Sequence, residues 1–385
     1  MKKICVITGT RAEYGQLRLI MQLLKNSKAF KLQTLVTGSH LSYEFGNTID
    51  EILKDKFHVD QKVEMLVSSN TSIGISKSVG LGMISFSDAL NYLQPNAVLL
   101  LGDRFEIFSA ASAAMIQKIP IIHLHGGEIT VGSIDDTFRH LITKMSHIHF
   151  ASTETYKNRI IQLGENQKYV HNVGSLGVDN LKNTNLLKKS EVEKILKMKF
   201  GPKSLLITMH PETQNNEKQN LQNIKELLKS LQKFKHVKLI FTLPNSDINS
   251  QIISLEIKNF IKKNKNAFLF ESLGYLLYFS CIKYVDAVVG NSSSGILEVP
   301  SLKKITINIG NRQEGRIMAK SIINCEVNER SITTIIRNCL DKKYETLLKN
   351  LKNPYGEGGA SKKILSILKK ISFDGMYNKK FYDIE

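Results

Sequence analysis

The stretch NAVLLLGDRFEIFSAASAAMIQKIPIIHLHGGE, residues 96–128, decides the fold. Its first run, around 97–102, is apolar at every position, as in a strand covered on both faces. Residues 104–117 follow with apolar positions at helical spacing, and IPIIHLH (119–125) is a second run of the buried kind. Strand, helix, strand within roughly thirty residues predicts two parallel neighbours joined by a crossover helix.

The same alternation extends in both directions. KICVIT (3–8), LQTLVTG (32–38) and HIHFAS (147–152) read as further strands, and residues 14–27 as an amphipathic helix. The pattern then restarts with SLLITMH (204–210), VKLIFTL (237–243), AFLFES (267–272), VDAVVGN (285–291) and KKITINIG (303–310). Two such sets predict an α/β protein of two Rossmann-like doubly wound domains facing across a cleft. Gly174, Gly177 and a polar stretch break the pattern near 174–190. The expected division is therefore 1–175, 176–358, and a C-terminal helix and tail, 359–385, packing back on the first domain. The helix in that tail is SKKILSILKKI (361–371), with an apolar stripe.

Composition bounds the function. The chain has 385 residues, of which 42% are hydrophobic, enough for two domains with real cores. An apolar run of about 18 residues would be needed to span a membrane, and none occurs. The N-terminus MKKICVITGT turns at once into a strand and a glycine turn and lacks a leader's apolar core, so a cytoplasmic protein is expected. Cys5, Cys281, Cys325 and Cys339 are widely spaced without a CxxC pair, and read as small buried hydrophobes. The net charge of +18 raises the question of nucleic acid. However, residues 181–240 hold 13 lysines and five acids without interleaved aromatics, so a solvated basic surface is the simpler reading.

In doubly wound sheets, ligands lie beyond the carboxyl ends of the strands. GTRAEYG (9–15) places Arg11, an anion donor or a surface cation, and Glu13 at a helix start. It is neither GxGxxG nor a Walker loop. TGSHLSYEFGNT (37–48) supplies His40, either a ligand contact or a loop residue. Asp103 ends an apolar strand, as an acid–base residue, a helix cap or both. The turn after 119–125 gathers His125, Glu128 and Asp135, each able to exchange a proton, and its pair Gly126–Gly127 lets backbone approach a ligand. His123 and His125 share a strand face by alternation, but HExxH is absent and His123 reads as a core histidine, so no metal is expected. In the second half, MHPET (209–213) carries His210 and FTLPNSD (241–247) carries Asn245. GNSSSGILEVPS (290–301) reads as a turn cradling a diphosphate with Ser292 and Ser293, then a helix bearing Glu298 for a ribose diol. INIGNRQEGR (307–316) adds Arg312 and Arg316. Acids and a histidine in one half, anion and ribose donors in the other, suit a nucleotide-diphosphate sugar.

TGTRAEYG, LGDRFE, HLHGGE followed by RH, HPET, GNSSSGILEVPSL and NIGNRQEGR, in this order over nearly the whole chain, resemble the UDP-N-acetylglucosamine 2-epimerases. The resemblance is strongest to the hydrolysing branch that forms N-acetylmannosamine for bacterial sialic acid. It implies a GT-B-like pair of Rossmann domains, no cofactor, and a homodimer or larger homo-oligomer. It also implies anti elimination of UDP to 2-acetamidoglucal, followed by hydration. By motif, Asp103 joins the acid–base set, Arg11 binds phosphate, and His210 contacts phosphate or assists departure of UDP. Ser292 and Ser293 bind diphosphate, Glu298 binds ribose, and Arg312 serves the diphosphate or sugar. Many relatives carry glutamate where this chain has His125, and their next acid lies one residue nearer than Asp135. His125 or Glu128 is therefore expected to take that glutamate's role, with Asp135 contributing. The alternative substrate is a nucleotide-linked N,N′-diacetylbacillosamine. Remoter readings are a non-hydrolysing epimerase, a GT-B glycosyltransferase and a non-enzymatic basic binding module.

Overall fold

Strand β1 (Lys2–Thr8) sends Ile4 and Val6 to one side and Cys5 and Ile7 to the other, and all four are fully buried. Successive strand side chains face opposite layers. Ile4 and Val6 pack with Leu17 and Leu24 of α1 (Arg11–Lys25) and Ile364 and Leu368 of α14 (Ala360–Lys370). Cys5 and Ile7 pack with Phe86 and Leu90 of α3 (Ser72–Leu93) and Ile107 and Ala111 of α4 (Phe105–Ile116). The stretch 96–128 repeats the pattern. In β4 (Ala97–Leu101), Leu99 and Leu101 join the first layer and Val98 and Leu100 the second. β4 pairs in parallel with β5 (Ile121–Leu124), Val98 opposite Ile121.

The computed structural model describes residues 1–43, 47–69, 71–131, 133–212, 214–244 and 249–384. The chain divides into two units: Met1–Glu128, Ile134–Asn180 and Tyr355–Glu385 form the first, Ile129–Ser133 and Leu181–Pro354 the second. Besides β1, β4 and β5, the first unit holds β2 (Phe30–Thr37), β3 (Gln61–Val63), β6 (Ile148–Ala151) and β7 (Val170–Asn172). They form one parallel sheet in the order β3-β2-β1-β4-β5-β6-β7.

The second unit contains β8 (Ser204–Thr208), β9 (Lys238–Thr242), β10 (Ala267–Phe270), β11 (Ala287–Gly290), β12 (Ile305–Ile309) and β13 (Ile322–Cys325). Its parallel order is β10-β9-β8-β11-β12-β13. Leu205, Ile207, Leu239 and Phe241 face one apolar layer, Leu206, Ile240 and Val288 the other. The α/β class with two doubly wound parallel sheets is therefore the observed one. Strands β3, β7 and β13 were not legible in the sequence, and each lies at a sheet edge. All four cysteines are free and buried. Among the described residues, no helix is long and apolar enough to cross a membrane.

The unit boundaries differ from the glycine breaks. Asn180 stays with the first unit because its side-chain amide donates to Gly15 O and Gln16 O in α1, at 2.9 and 2.8 Å. Tyr355 returns there because its hydroxyl lies 3.1 Å from that of Tyr156. Asp179, in α7 (Leu176–Lys182) and 1% exposed, accepts from Gly359 N at 2.5 Å and Ser361 N at 2.7 Å. One carboxylate thus caps α14, whose Gly359 cap offers no side-chain oxygen. Asp179→Ala should lower stability by ~2 kcal/mol in urea unfolding and speed amide exchange in the first turn of α14. An unchanged midpoint with unchanged exchange there would show that this cap does not hold the returning helix.

Candidate active site

The acids of the first unit collect where β4 and β5 end. Asp103 follows Gly102, which leaves β4 at φ 81°. Its Oδ2 accepts from the Arg139 guanidinium. Arg139 belongs to α5 (Ile134–Met145), is 2% exposed, and also donates to Asp136 Oδ1 at 2.8 Å and Glu128 O at 2.9 Å. Asp135 sits in the first turn of the same helix. Burial, and then Asp103 nearby, raise its pKa to about 6, although Arg104 and Arg139 oppose the rise. Its carboxyl group therefore changes charge close to neutral pH.

His125 leaves β5 in the left-handed region, at φ 63°, so strand alternation ends before it and it does not share a face with His123. Its Nε2 accepts from Leu176 N at 3.3 Å, which puts the ring proton on Nδ1, 3.7 Å from Glu128 Oε1. Glu128 Oε1 also accepts from Ser152 Oγ at 3.0 Å. Both side chains are buried, at 7% and 4% exposure. His123 is a core histidine. Its Nε2 donates to Gly102 O at 2.8 Å, and burial drives its pKa down to about 3. The glycine pair corrects a second expectation. A Cβ on Gly127 would overlap the Tyr156 carbonyl, and one on Gly126 would lie 2.9 Å from His123 Nδ1 and from Thr143 Oγ1. These glycines make room for the protein's own packing rather than for a ligand.

Arg11 opens α1 and forms a half-exposed ion pair with Glu51 at 3.8 Å. His40 is not placed to receive a ligand: it is fully buried, with Nε2 3.1 Å from Thr8 Oγ1 and Nδ1 2.8 Å from Thr48 Oγ1. Burial lowers its pKa to about 4. The glycine turn before it folds the ring inward under Tyr14, edge to face at 6.3 Å.

In the second unit, the turn after β11 is built on Asn291. Its side chain brackets the backbone of His210, accepting from His210 N at 2.7 Å and donating to His210 O at 2.9 Å. Its own carbonyl accepts from Arg312 at 3.2 Å and Gln313 Nε2 at 2.9 Å. Gly290 precedes it at φ 131°, where any Cβ would overlap the Thr208 carbonyl. The bracket thus joins the ends of β8, β11 and β12. Burial, with Arg312 beside it, keeps His210 well below its usual pKa, so its imidazole is neutral at pH 7.

Ser292 holds the N-cap position of α12 (Ser293–Leu297) without a side-chain capping bond, and Ser293 opens the helix. The helix does not carry Glu298, which instead ends it and leads into a 3-10 turn over Val299–Leu302. Pro300 explains the stop: its ring would clash with the carbonyl four residues back and it has no N–H to donate. Glu298 is 6% exposed. Tyr278, in α11 (Gly274–Tyr284), faces Ser294, Thr208 and Ser292 with its hydroxyl, and burial raises its pKa. Arg316 is half-buried and closes a turn through its N–H on Gln313 O at 3.3 Å. Asn245 lies outside the described residues.

Arg139, Asn291, Gln313 and Tyr278 were not singled out from the sequence. Arg139 carried a signal, its position three residues after Asp136 in a helix, which brings the two side chains together. Asn291 had one in its place just past a glycine at a strand end. Gln313 and Tyr278 had none. Among the described residues, no three His, Cys, Asp or Glu side chains are grouped to hold a metal ion.

Comparison with known proteins bears on this arrangement. The family model described as UDP-N-acetylglucosamine 2-epimerase matches residues 22–369. The chain is 43% identical over 393 residues to the GDP/UDP-N,N′-diacetylbacillosamine 2-epimerase (hydrolyzing) of Campylobacter jejuni, covering 100% of this chain and 99% of the relative. It is 40% identical over 389 residues to polysialic acid biosynthesis protein P7 of Escherichia coli, covering 100% and 98%. The crystal structure of UDP-GlcNAc 2-epimerase from Neisseria meningitidis bound to UDP-GlcNAc shares the fold, with a TM-score of 0.83 at 22% identity over 96% of this chain and 100% of that one. On a family match spanning most of its length and on full-length relatives of this similarity, the chain belongs to the UDP-N-acetylglucosamine 2-epimerase family of enzymes, in its hydrolysing branch.

Proposed function

We propose that this enzyme hydrolyses a nucleotide-linked N,N′-diacetylbacillosamine with inversion at C2, releasing the free manno-configured sugar and the nucleoside diphosphate. The observation that carries the choice of sugar is the 43% identity, over the full chain, to a hydrolysing epimerase named for that substrate. The sequence alone favoured UDP-N-acetylglucosamine, and that second reading is supported by the 40% identical relative named for polysialic acid biosynthesis. A cytoplasmic homodimer or larger homo-oligomer belongs to the proposal.

The reaction sets two demands. A weakly acidic C2 proton must leave as the diphosphate departs, and a proton and hydroxide must then add. We assign proton transfer to Asp103, Asp135 and Glu128. Arg139 fixes the Asp103 carboxylate, while Asp135, with its pKa of about 6, is able to give or take a proton near neutrality. His125 acts on Glu128, toward which its Nδ1 points. Diphosphate is assigned to Ser292, Ser293, Arg11, Arg312 and neutral His210, and ribose to Glu298. A neutral His210 can donate a hydrogen bond to the diphosphate. Asn245 and Arg316 are retained as contacts to the nucleotide.

The test of substrate and chemistry is incubation in heavy water with the nucleotide-linked diacetylbacillosamine and, separately, with UDP-N-acetylglucosamine. The expected result is free 2-epimerised sugar with deuterium at C2, formed faster from the first. Recovery of an intact epimerised nucleotide sugar would overturn hydrolysis, and faster release of N-acetylmannosamine would select the second reading. Asp103→Asn should lower kcat by ~100-fold or more. If Glu128→Gln and His125→Ala both keep near-normal turnover while Asp103→Asn does not, their roles are wrong.

Asp135 also sets a pH dependence. Below about 6 it holds its proton and above that it is a carboxylate, so a base role makes kcat rise with pH through this value. Asp135→Asn should remove that limb of the profile. A limb that persists in the variant assigns it to another group.

A further inference from the structure

The turn that carries Glu128 is seated on the neighbouring strand and helix. β5 and β6 run side by side, with Leu124 opposite Phe150, and the pairing ends where His125 N donates to Phe150 O at 2.9 Å. The two chains leave the sheet together, so residues after β6 meet residues after β5. Thr153 caps α6 (Glu154–Gln162), accepting from Tyr156 N at 3.2 Å. That helix brings the Tyr156 carbonyl against Gly127 and the Arg159 guanidinium to Gly127 O, at 2.5 Å. Arg139 donates to the next carbonyl, Glu128 O, at 2.9 Å. Two guanidinium groups thus hold the backbone at Glu128. The side chain is held separately. Ser152, 1% exposed and first after β6, donates its hydroxyl to Glu128 Oε1 at 3.0 Å. His125 Nδ1 stands 3.7 Å from the same oxygen, so the serine is the nearer of the two.

We propose that Ser152 is a positioning residue for the reaction: its hydroxyl holds the Glu128 carboxylate in one orientation, above a backbone that Arg159 and Arg139 keep in place. This rests on the assignment of proton transfer to Glu128. A glutamate carries its carboxylate on a chain of rotatable bonds, so a fixed backbone does not by itself fix the oxygens. Proton transfer tolerates little misplacement, and an error of about 1 Å can cost ~100-fold in rate. A serine hydroxyl suits this task. It gives a hydrogen bond without adding a charge beside the acid, and here it stands on a strand end rather than in a loop. A serine that only satisfied a buried carboxylate would act on folding. One that positions the carboxylate acts on the rate, and only while the carboxylate is present.

A double-mutant cycle on the full-length enzyme tests this, with whichever of the two nucleotide sugars it turns over. Ser152→Ala removes the hydroxyl and little volume. It should lower kcat by ~10-fold and leave KM within ~2-fold of wild type. In a Glu128→Gln background the same change should cost less than ~2-fold more, because the carboxylate it positioned is already gone. Ser152→Cys fills nearly the same space with a weaker donor and should lose kcat as Ser152→Ala does. It takes the place of Ser152→Ala in the cycle if that variant does not fold. Losses that multiply in the double variant overturn the positioning role. So does wild-type kcat in Ser152→Ala or Ser152→Cys while Glu128→Gln is slow, and both results leave the assignment of Glu128 standing. A Glu128→Gln enzyme as fast as wild type rejects that assignment, and the positioning role with it.

Discussion

A buried guanidinium among carboxyl groups is the constraint on which the acidic end of the first unit depends. Arg139 reaches Asp103 after β4, Asp136 in its own helix, and the backbone of Glu128 after β5. One side chain therefore ties its own helix to the turn after β5 and to the turn after β4, 36 residues away. Carboxylates gathered this closely repel one another. Arg139 in turn would be a buried cation without compensation if they were removed. Arg139 thus ties the turn after β4, through Asp103, to the first turn of α5, through Asp136.

The second unit solves a different problem by different means. Its turn residues are held by uncharged hydrogen bonds between the Asn291 amide and the His210 backbone, and by Gln313 and one cation, Arg312, donating to the Asn291 carbonyl. His210 is kept neutral by burial and by the arginine beside it. Neutral donors with one fixed cation suit a group that accumulates negative charge, whereas interlocked acids and arginines suit proton exchange. The division of chemistry proposed above for the two units matches how each turn is held.

The central strands were legible because they are buried on both faces. A run such as Ala97–Leu101 has no solvent side to dilute its apolar pattern. The strands that escaped notice, QKV in β3, VHN in β7 and IINC in β13, pair on one side only and mix polar with apolar residues. The site was legible at the level of which turns carry charge. Orientation was not, because it depends on partners remote in sequence. His40 looked like a loop residue open to a ligand, yet Thr8 and Thr48 hold it inside. Glu298 looked helical until Pro300 ended the helix before it. The break read near Gly174 and Gly177 falls short of Asn180, whose side chain binds back to α1, for the same reason.

His125 shows what such remote partners decide. A non-glycine residue in the left-handed region carries a cost of about 1 kcal/mol or more, so something must hold it there. Its backbone N–H donates to Phe150 O at 2.9 Å, and its Nε2 is occupied by the Leu176 amide at 3.3 Å. The Nε2 edge is thereby committed to the protein, and Nδ1 is the edge turned to Glu128. We read this histidine as a support for Glu128 rather than as the group that takes the proton from substrate. On the proposed mechanism it acts through its neighbour, orienting the Glu128 carboxylate and stabilising its charge, and the proton itself passes to a carboxyl group. On that proposal the working acid is Glu128, three residues along the chain from His125, across a glycine pair that the protein's own packing requires.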